Sequence, residues 1–211
     1  APMNHPLLTR RAALQTGAVG GVLAAYPVLA QDAATPRGIE EMSLGDADAP
    51  VTVIEYASLT CPHCARFHSD VFGRIKTNYI ETGKVRFVYR DVYFDRAGLW
   101  GAMVARCGGQ ERFFGIVDRL LSRQAEWSRL TDPSETIAAL FAIGRQAGMT
   151  DEEMNACVQD QQWAEALVAD YQANMEADQV RGTPTFFING QMENNMSYRD
   201  FAAKLDEELG S

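Results

Sequence analysis

The sequence predicts an α/β fold, in which a central mixed sheet is flanked by helices and an all-helical region is inserted between its strands. A β-branched segment at 51–57 is followed by a helix-like segment to about residue 80 and a second strand-like segment at 85–92. The pattern is then helical from 96 to 179. Strand signals return at 185–193, which completes the sheet.

The first strand, helix and second strand are predicted to form a parallel unit. Residues 51–57 and 85–92 are rich in β-branched and aromatic side chains, as half-buried or buried strands are. Between them, apolar residues recur at helical spacing: Phe67, Val71, Phe72, Ile75 and Tyr79. Two strands joined by a crossover helix pair in parallel with a right-handed connection.

The end of the chain predicts a hairpin and a helix. Asn189 and Gly190 separate strand-like residues 185–188 from 191–193, and an Asn-Gly pair favours a tight antiparallel turn. The inward spacing of apolar residues over 197–209 then predicts a closing helix.

The inserted region, 96–179, contains its own helix starts and two cysteines. Asp132 and Thr150 each stand three residues before a glutamate, which is typical of a helix N-terminus. Cys107 and Cys157 both fall on predicted helices. From the sequence alone they are either a disulfide or two free buried thiols.

Cys61-Pro62-His63-Cys64 lies at the turn from the first strand to the first helix. Pro62 suits the first helical position, which makes Cys61 the residue that caps the helix. A sulfur at that position faces unpaired N–H groups and the positive end of the helix dipole, and both favour thiolate over thiol. Cys61 is therefore the candidate attacking sulfur.

The other motif residues have predicted roles beside Cys61. Cys64, one turn into the helix, is the candidate shielded partner. A purely structural bridge is the alternative, but a bridge across two residues constrains very little chain entropy. His63 can donate a hydrogen bond to the Cys61 sulfur or add a positive charge beside it. The alternative for His63 is a solvent-facing spacer.

A zinc site is the competing interpretation of this segment. Cys61, Cys64 and His68 have a spacing found among zinc ligands. No fourth ligand is evident, so the sequence favours redox chemistry, with no metal and no cofactor. His68 is then expected to be an exposed helix residue.

The first thirty residues predict an export signal. Arg10 and Arg11 precede an apolar run over 12–26, and small or apolar residues at 28–30 suit cleavage by a signal peptidase. An uncleaved anchor is the alternative. The arginine pair leaves the Sec and twin-arginine routes both open. Residues 31–42 are then a short tether.

Charge and cysteine content narrow the function further. The 211 residues carry 19 basic and 28 acidic side chains, a net charge of −9. Loss of residues 1–30 removes two arginines and no acid, which leaves 17 against 28, or −11. Nucleic acid is therefore not an expected partner. Four cysteines in an exported chain favour disulfide chemistry over zinc.

Residues 43 to 211 resemble the DsbA family, which has the thioredoxin fold. The resemblance depends on Glu55 six residues before the motif, on Cys61-Pro62-His63-Cys64, and on the segment from Gly182 to Gly190. It implies a thioredoxin-fold domain formed by 43–95 and 180–211, with 96–179 as a helical insertion domain.

The resemblance also implies roles for residues outside the motif. Thr183-Pro184 is similar to the family's cis-proline loop, whereas a trans turn would otherwise be expected. Glu55 is similar to a buried acid that relays protons near Cys64; the alternative is a glutamate on the exposed face of the strand. The family pairs that acid with a lysine, and here the corresponding position is Tyr89, with Arg90 adjacent.

Cys107 and Cys157 are similar to the cysteine pair of the alphaproteobacterial branch of the family, which implies a structural disulfide. Bridged, they close a loop of about fifty residues.

The implied function is periplasmic thiol:disulfide oxidation, in which a Cys61–Cys64 disulfide is transferred to exported proteins. The family implies reduced or unfolded polypeptides as substrates, a DsbB-like membrane quinone reductase as reoxidant, and a monomer. Two alternatives stay open. One is a disulfide isomerase or reductase, although the tether is short for the dimerising extension that isomerases use. The other is a peptide-binding chaperone with vestigial redox residues.

Overall fold

The computed structural model describes residues 37–210, in which five strands form one sheet. The strand order is β1-β3-β2-β4-β5. The strands are β1 (Met42–Leu44), β2 (Val51–Ala57), β3 (Val85–Asp91), β4 (Thr185–Ile188) and β5 (Gln191–Asn194). Strands β2 and β3 are parallel, and the other neighbours are antiparallel. The predicted mixed α/β sheet with inserted helices, a thioredoxin fold, is confirmed. The predicted signal peptide, 1–30, and residues 31–36 of the predicted tether lie outside the described residues.

Strand β1 corrects the predicted end of the tether. Met42, its last residue, is only 2% exposed and pairs with Tyr89 of β3. Three residues are too few to show the alternation by which a strand is recognised in a sequence. The strand forms because the edge of β3 offers unpaired backbone groups to a neighbouring segment.

The helical segment after the motif is continuous but not uniformly α-helical. It consists of α1 (Pro62–Phe67), a π-helical stretch π1 (His68–Phe72), α2 (Gly73–Ile75) and a second π-helical stretch π2 (Lys76–Ile80). The apolar residues that predicted this helix are all buried: Phe67, Val71, Phe72, Ile75 and Tyr79. Their burial holds the segment against the sheet.

Six helices connect β3 to β4. They are α3 (Arg96–Cys107), α4 (Gly109–Ser122), α5 (Gln124–Trp127), α6 (Pro133–Gln146), α7 (Asp151–Val158) and α8 (Gln161–Ala177). Asp132 caps α6, and Thr150 with Glu153 forms a reciprocal capping box at α7. No helix within 37–210 is both long enough and apolar enough to cross a membrane.

Cys107 and Cys157 form a disulfide between the end of α3 and α7. Their Cα atoms are 6.0 Å apart, and 50 positions separate them in the sequence. The bridge therefore ties together helices within the region inserted into the sheet.

The hairpin and the last helix close the fold around the motif helix. Asn189 and Gly190 have φ angles of 47° and 84°, as the turn of a tight hairpin requires. Helix α9 (Tyr198–Glu208) follows, and its Phe201 ring packs 5.8 Å from Phe67 of α1 and 5.1 Å from Phe186 of β4, centroid to centroid. These aromatic contacts fix α1 relative to the sheet.

Candidate active site

The motif begins helix α1 at the carboxyl end of strand β2. Cys61 is the N-cap, with extended backbone angles of −81° and 120°, and Pro62 occupies the first helical position. A residue of the inserted helices also stabilises this turn. Gln124 Nε2 donates to the carbonyls of Leu59 (2.7 Å) and Cys61 (3.0 Å). The position of Gln124 beside the motif was not evident from the sequence, since the two segments meet only in the folded chain.

Cys61 is the cysteine of the pair that has the properties of a nucleophile. Both motif cysteines are free thiols in this structure, and Cys61 is 7% exposed whereas Cys64 is fully buried. The pKa of Cys61 is lowered to about 5, mainly by a hydrogen bond from the Cys64 thiol and against the effect of burial. The Thr183 side chain and the backbone N–H groups of Cys64 and His63 lower it further.

The pKa of Cys64 is shifted in the opposite direction. Burial raises the pKa of the Cys64 thiol, and its hydrogen bond to Cys61 and the charge of Glu55 raise it further. At neutral pH the reduced pair therefore has a thiolate at Cys61 and a proton at Cys64.

His63 contributes to the low pKa of Cys61 through its backbone. Its contribution to the low pKa comes from the backbone N–H at the start of α1. The ring is exposed and lines a groove of about 600 Å³ that also includes Arg181, Pro184 and Met192.

The segment containing Pro184 lies directly beside the motif. The peptide bond between Thr183 and Pro184 is cis. The Cys61 sulfur lies 3.4 Å from the Thr183 carbonyl oxygen, which places this loop against the redox pair.

Glu55 is buried and pairs with His68, a residue that the sequence analysis predicted to be exposed. Glu55 is fully buried on β2, and its Oε2 lies 3.2 Å from Nε2 of His68. The prediction that His68 is exposed is wrong, since it is only 7% exposed. Its ring packs 4.5 Å from that of Phe72, so π1 turns His68 toward the sheet. The spacing of four residues between these rings is the signal that could have indicated this.

Neither residue considered as the partner of Glu55 takes that position. Tyr89 lies beside Glu55 in the register of β2 and β3, but its hydroxyl makes no hydrogen bond within the described residues. Arg90, on the opposite face, donates to Tyr56 Oη at 2.6 Å and to Asp178 Oδ2 at 2.8 Å. His68 is thus the residue paired with the buried acid.

The zinc interpretation depends on how Cys61, Cys64 and His68 are arranged in the fold. Within 37–210, no cluster of three or more His, Cys, Asp and Glu side chains has a geometry that could hold a metal ion. His68 is directed to Glu55, whereas Cys61 is directed to Cys64 and Thr183.

Comparison with known proteins places this fold and site in a family. Residues 38–207 match the family model described as thioredoxin. The chain belongs to the thioredoxin family. Over 170 residues it is 35% identical to a putative protein-disulfide oxidoreductase of Rickettsia bellii, a match covering 80% of this chain and 64% of that protein. The chain thus spans slightly less than two thirds of the length of that relative.

Solved structures of the family show a DsbA-like arrangement. Alpha-DsbA1 of Wolbachia pipientis superposes with a TM-score of 0.75 at 29% identity, covering 82% of this chain and 93% of that one. BdbD of Bacillus subtilis, in its oxidised form, gives 0.71 at 22% identity, covering 81% and 94%, and so shares the fold. This thioredoxin-family chain is therefore DsbA-like in sequence and architecture.

Proposed function

We propose that this chain is a periplasmic thiol:disulfide oxidoreductase that introduces disulfide bonds into exported polypeptides. The observation that carries the proposal is the contrast between the two motif cysteines. The pKa of Cys61 is lowered to about 5, while that of Cys64 is raised by burial. Such a pair has one sulfur that is a good nucleophile and leaving group and one that holds its proton.

The proposed reaction transfers one disulfide. A thiolate of the substrate attacks Cys61, the Cys61–Cys64 bond breaks, and Cys64 leaves with the electron pair and takes up a proton. A second substrate thiolate then attacks the substrate sulfur of the mixed disulfide, and Cys61 leaves as thiolate. Counted from its dithiol form, the substrate loses two electrons and two protons. The protein gains both electrons and one proton, at Cys64, and the other proton goes to the solvent.

Oxidation of the substrate is the favoured direction because the reduced protein is stabilised. The thiolate of Cys61 is stabilised by Cys64 and by the N–H groups at the start of α1, and the disulfide has no charge for these groups to act on. This favours transfer of the disulfide to the substrate over an isomerase or reductase role.

Glu55 and His68 are proposed to carry the proton of Cys64. Glu55 raises the pKa of Cys64 through its charge, so the two side chains are electrostatically coupled. Its carboxyl can supply the proton as Cys64 leaves and accept it during reoxidation. His68 orients the carboxylate through Oε2, and Oε1, which has no partner among the described residues, is the oxygen available for transfer.

The remaining assignments complete the proposal. The Thr183-Pro184 loop presents backbone to the bound substrate. Residues 43–95 with 180–211 act as the thioredoxin-fold domain, and 96–179 as a helical domain stabilised by Cys107–Cys157. The protein works as a monomer without a cofactor and is reoxidised by a DsbB-like membrane quinone reductase. The exported location is supported by the leader-like pattern at 1–30.

Equilibration with a glutathione redox buffer tests the proposal. The fraction oxidised at Cys61–Cys64 should give a reduction potential well above the roughly −270 mV of a thioredoxin. The oxidised protein should also convert a reduced two-cysteine peptide to its disulfide, and Cys61→Ser should abolish this. A thioredoxin-like potential would contradict the oxidising role. A peptide that stays reduced would contradict disulfide transfer itself.

A further inference from the structure

The surface beside Cys61 differs in charge from the rest of this acidic chain. The groove next to the Thr183-Pro184 loop is lined by His63 and Arg181 and by no acidic side chain. Its other lining residues are neutral, and Met192 is one of the few large hydrophobic side chains exposed in the described region. On a chain of net charge −9, a groove of this composition stands out.

A second depression continues this surface along the motif helix. It shares Asn195 with the groove and is lined by Arg66, Arg74 and Arg199, with Asp70 as its acidic member. Arg66 follows Cys61 by five residues, which is about 7.5 Å along a helix axis. The two depressions together place cations beside the Thr183-Pro184 loop and along the motif helix.

Of the four arginines that line the two depressions, Arg66 and Arg181 have no side-chain partner among the described residues. Arg74 stacks on the Tyr198 ring at 3.5 Å, and Arg199 pairs with Asp200 at 3.1 Å. Within residues 37–210, the exposed guanidinium groups of Arg66 and Arg181 make no ion pair, hydrogen bond or ring contact. They are free to pair with an incoming carboxylate.

We propose that this surface selects substrate cysteines that are flanked by acidic residues. The proposal rests on the disulfide-transfer function above and specifies its substrate class. An extended peptide advances about 3.3 Å per residue, so carboxylates within about three residues of the reacting cysteine can approach Arg66 and Arg181. Charged groups at the rim of an interface act mainly by steering association, so the preference appears in the rate of reaction.

Three reduced peptides of equal length test the proposal. Each carries the same cysteine pair, flanked by glutamate, glutamine or lysine, and each is mixed with the oxidised protein. The second-order rate constant should be highest for the glutamate peptide and lowest for the lysine peptide. The expected ratio between them is about threefold to tenfold at low salt, as for two exposed ion pairs. It should decrease as ionic strength rises.

Matched variants separate the local surface from the overall charge. The double variant Arg66→Gln/Arg181→Gln should bring the glutamate-to-lysine ratio close to one. Lys84→Gln is the control. Lys84 is exposed and lies just before β3, whereas the motif follows the other end of the neighbouring parallel strand β2. This substitution should leave the ratio unchanged. Differences in intrinsic thiol reactivity between the peptides are common to all proteins and cancel when these ratios are compared.

Two outcomes would overturn the proposal. One is a glutamate-to-lysine ratio that is the same in the double variant as in the wild type. The other is a glutamate-to-lysine ratio that is higher in the double variant than in the wild type, which would show that the two arginines do not favour acidic flanks. Failure to oxidise any of the three peptides would instead reject the disulfide-transfer function, so the two failures are distinguishable.

Discussion

Nε2 of His68 lies 3.2 Å from Oε2 of Glu55, and both side chains are buried. The acid on β2 is therefore paired from the motif helix and not from the neighbouring strand, where Tyr89 stands. An imidazole can donate from one nitrogen while the other accepts. This contact links the segment carrying the motif to the group whose charge acts on Cys64.

Removing the donor from His68 should destabilise the protein. His68→Phe keeps an aromatic ring against Phe72 but leaves the Glu55 carboxyl buried without a partner. We expect a loss of about 1–3 kcal/mol in the free energy of unfolding in urea. Adding Glu55→Gln should recover part of this loss, because a buried neutral amide costs less than an unpaired carboxylate. Equal stability of His68→Phe and the wild type would contradict the pairing.

Glu55→Gln should slow the steps in which Cys64 exchanges its proton. A mixed disulfide between Cys61 and a peptide with a single cysteine can be released only when Cys64 attacks, and Cys64 must first lose a proton despite its raised pKa. Without the carboxylate we expect this release to slow by about tenfold or more. Quenched-flow trapping of the mixed disulfide measures the rate. Glu81→Gln, the same change at an exposed residue, is the control, and equal rates in the two variants would exclude the relay.

The register of β2 and β3 shows what the local pattern determines. The two strands begin at Val51 and Val85, which are paired, and the pairing of Glu55 with Tyr89 follows from them. The hairpin is equally local, since Asn189 and Gly190 supply the positive φ angles that its turn requires. These elements were predictable because neighbouring residues specify them.

The contacts that complete the site are of a different kind. Strand β1 exists because β3 pairs with it, and the hold of Gln124 on the Cys61 carbonyl depends on how α5 packs. Neither has a signature within its own segment. His68 is an intermediate case. Its spacing from Phe72 was visible in the sequence, but its pairing with Glu55 of β2 was not.

Loss of the second disulfide should reduce stability but not exchange. Cys107→Ala/Cys157→Ala opens a loop of 50 positions, which the chain-entropy model equates with about 4 kcal/mol. Thermal unfolding should therefore shift to lower temperature. Alkylation of Cys61 in the reduced protein should keep its wild-type rate, since the bridge joins α3 to α7 and neither of its cysteines is among the groups that set the pKa of Cys61. A large fall in exchange with unchanged melting would instead indicate a second redox relay.

The stability of the reduced protein relative to the oxidised protein should depend on pH. The pKa of Cys61 is about 5 in the folded chain, against about 8.5 for an unfolded cysteine. A depressed pKa stabilises the folded reduced form fully above the unfolded value, and this stabilisation is lost as pH falls through the folded value. The difference in melting temperature between the two forms should therefore shrink from pH 8.5 to pH 5. A difference that is constant over this range would contradict a thiolate at Cys61.

Two substitutions at His63 should separate its ring from its backbone. His63→Gln removes the ring but keeps the N–H that lowers the pKa of Cys61, whereas His63→Pro removes both. We expect the proline variant to raise the pKa of Cys61 and the glutamine variant to leave it near 5, as measured by the pH dependence of alkylation. One pKa unit corresponds to about 1.4 kcal/mol, or about 30 mV for this two-electron couple. The potential of the proline variant should become more reducing in that proportion. Equal pKa shifts in both variants would assign the effect to the ring, and a pKa that moves without the potential would show that thiolate stabilisation does not set the oxidising strength.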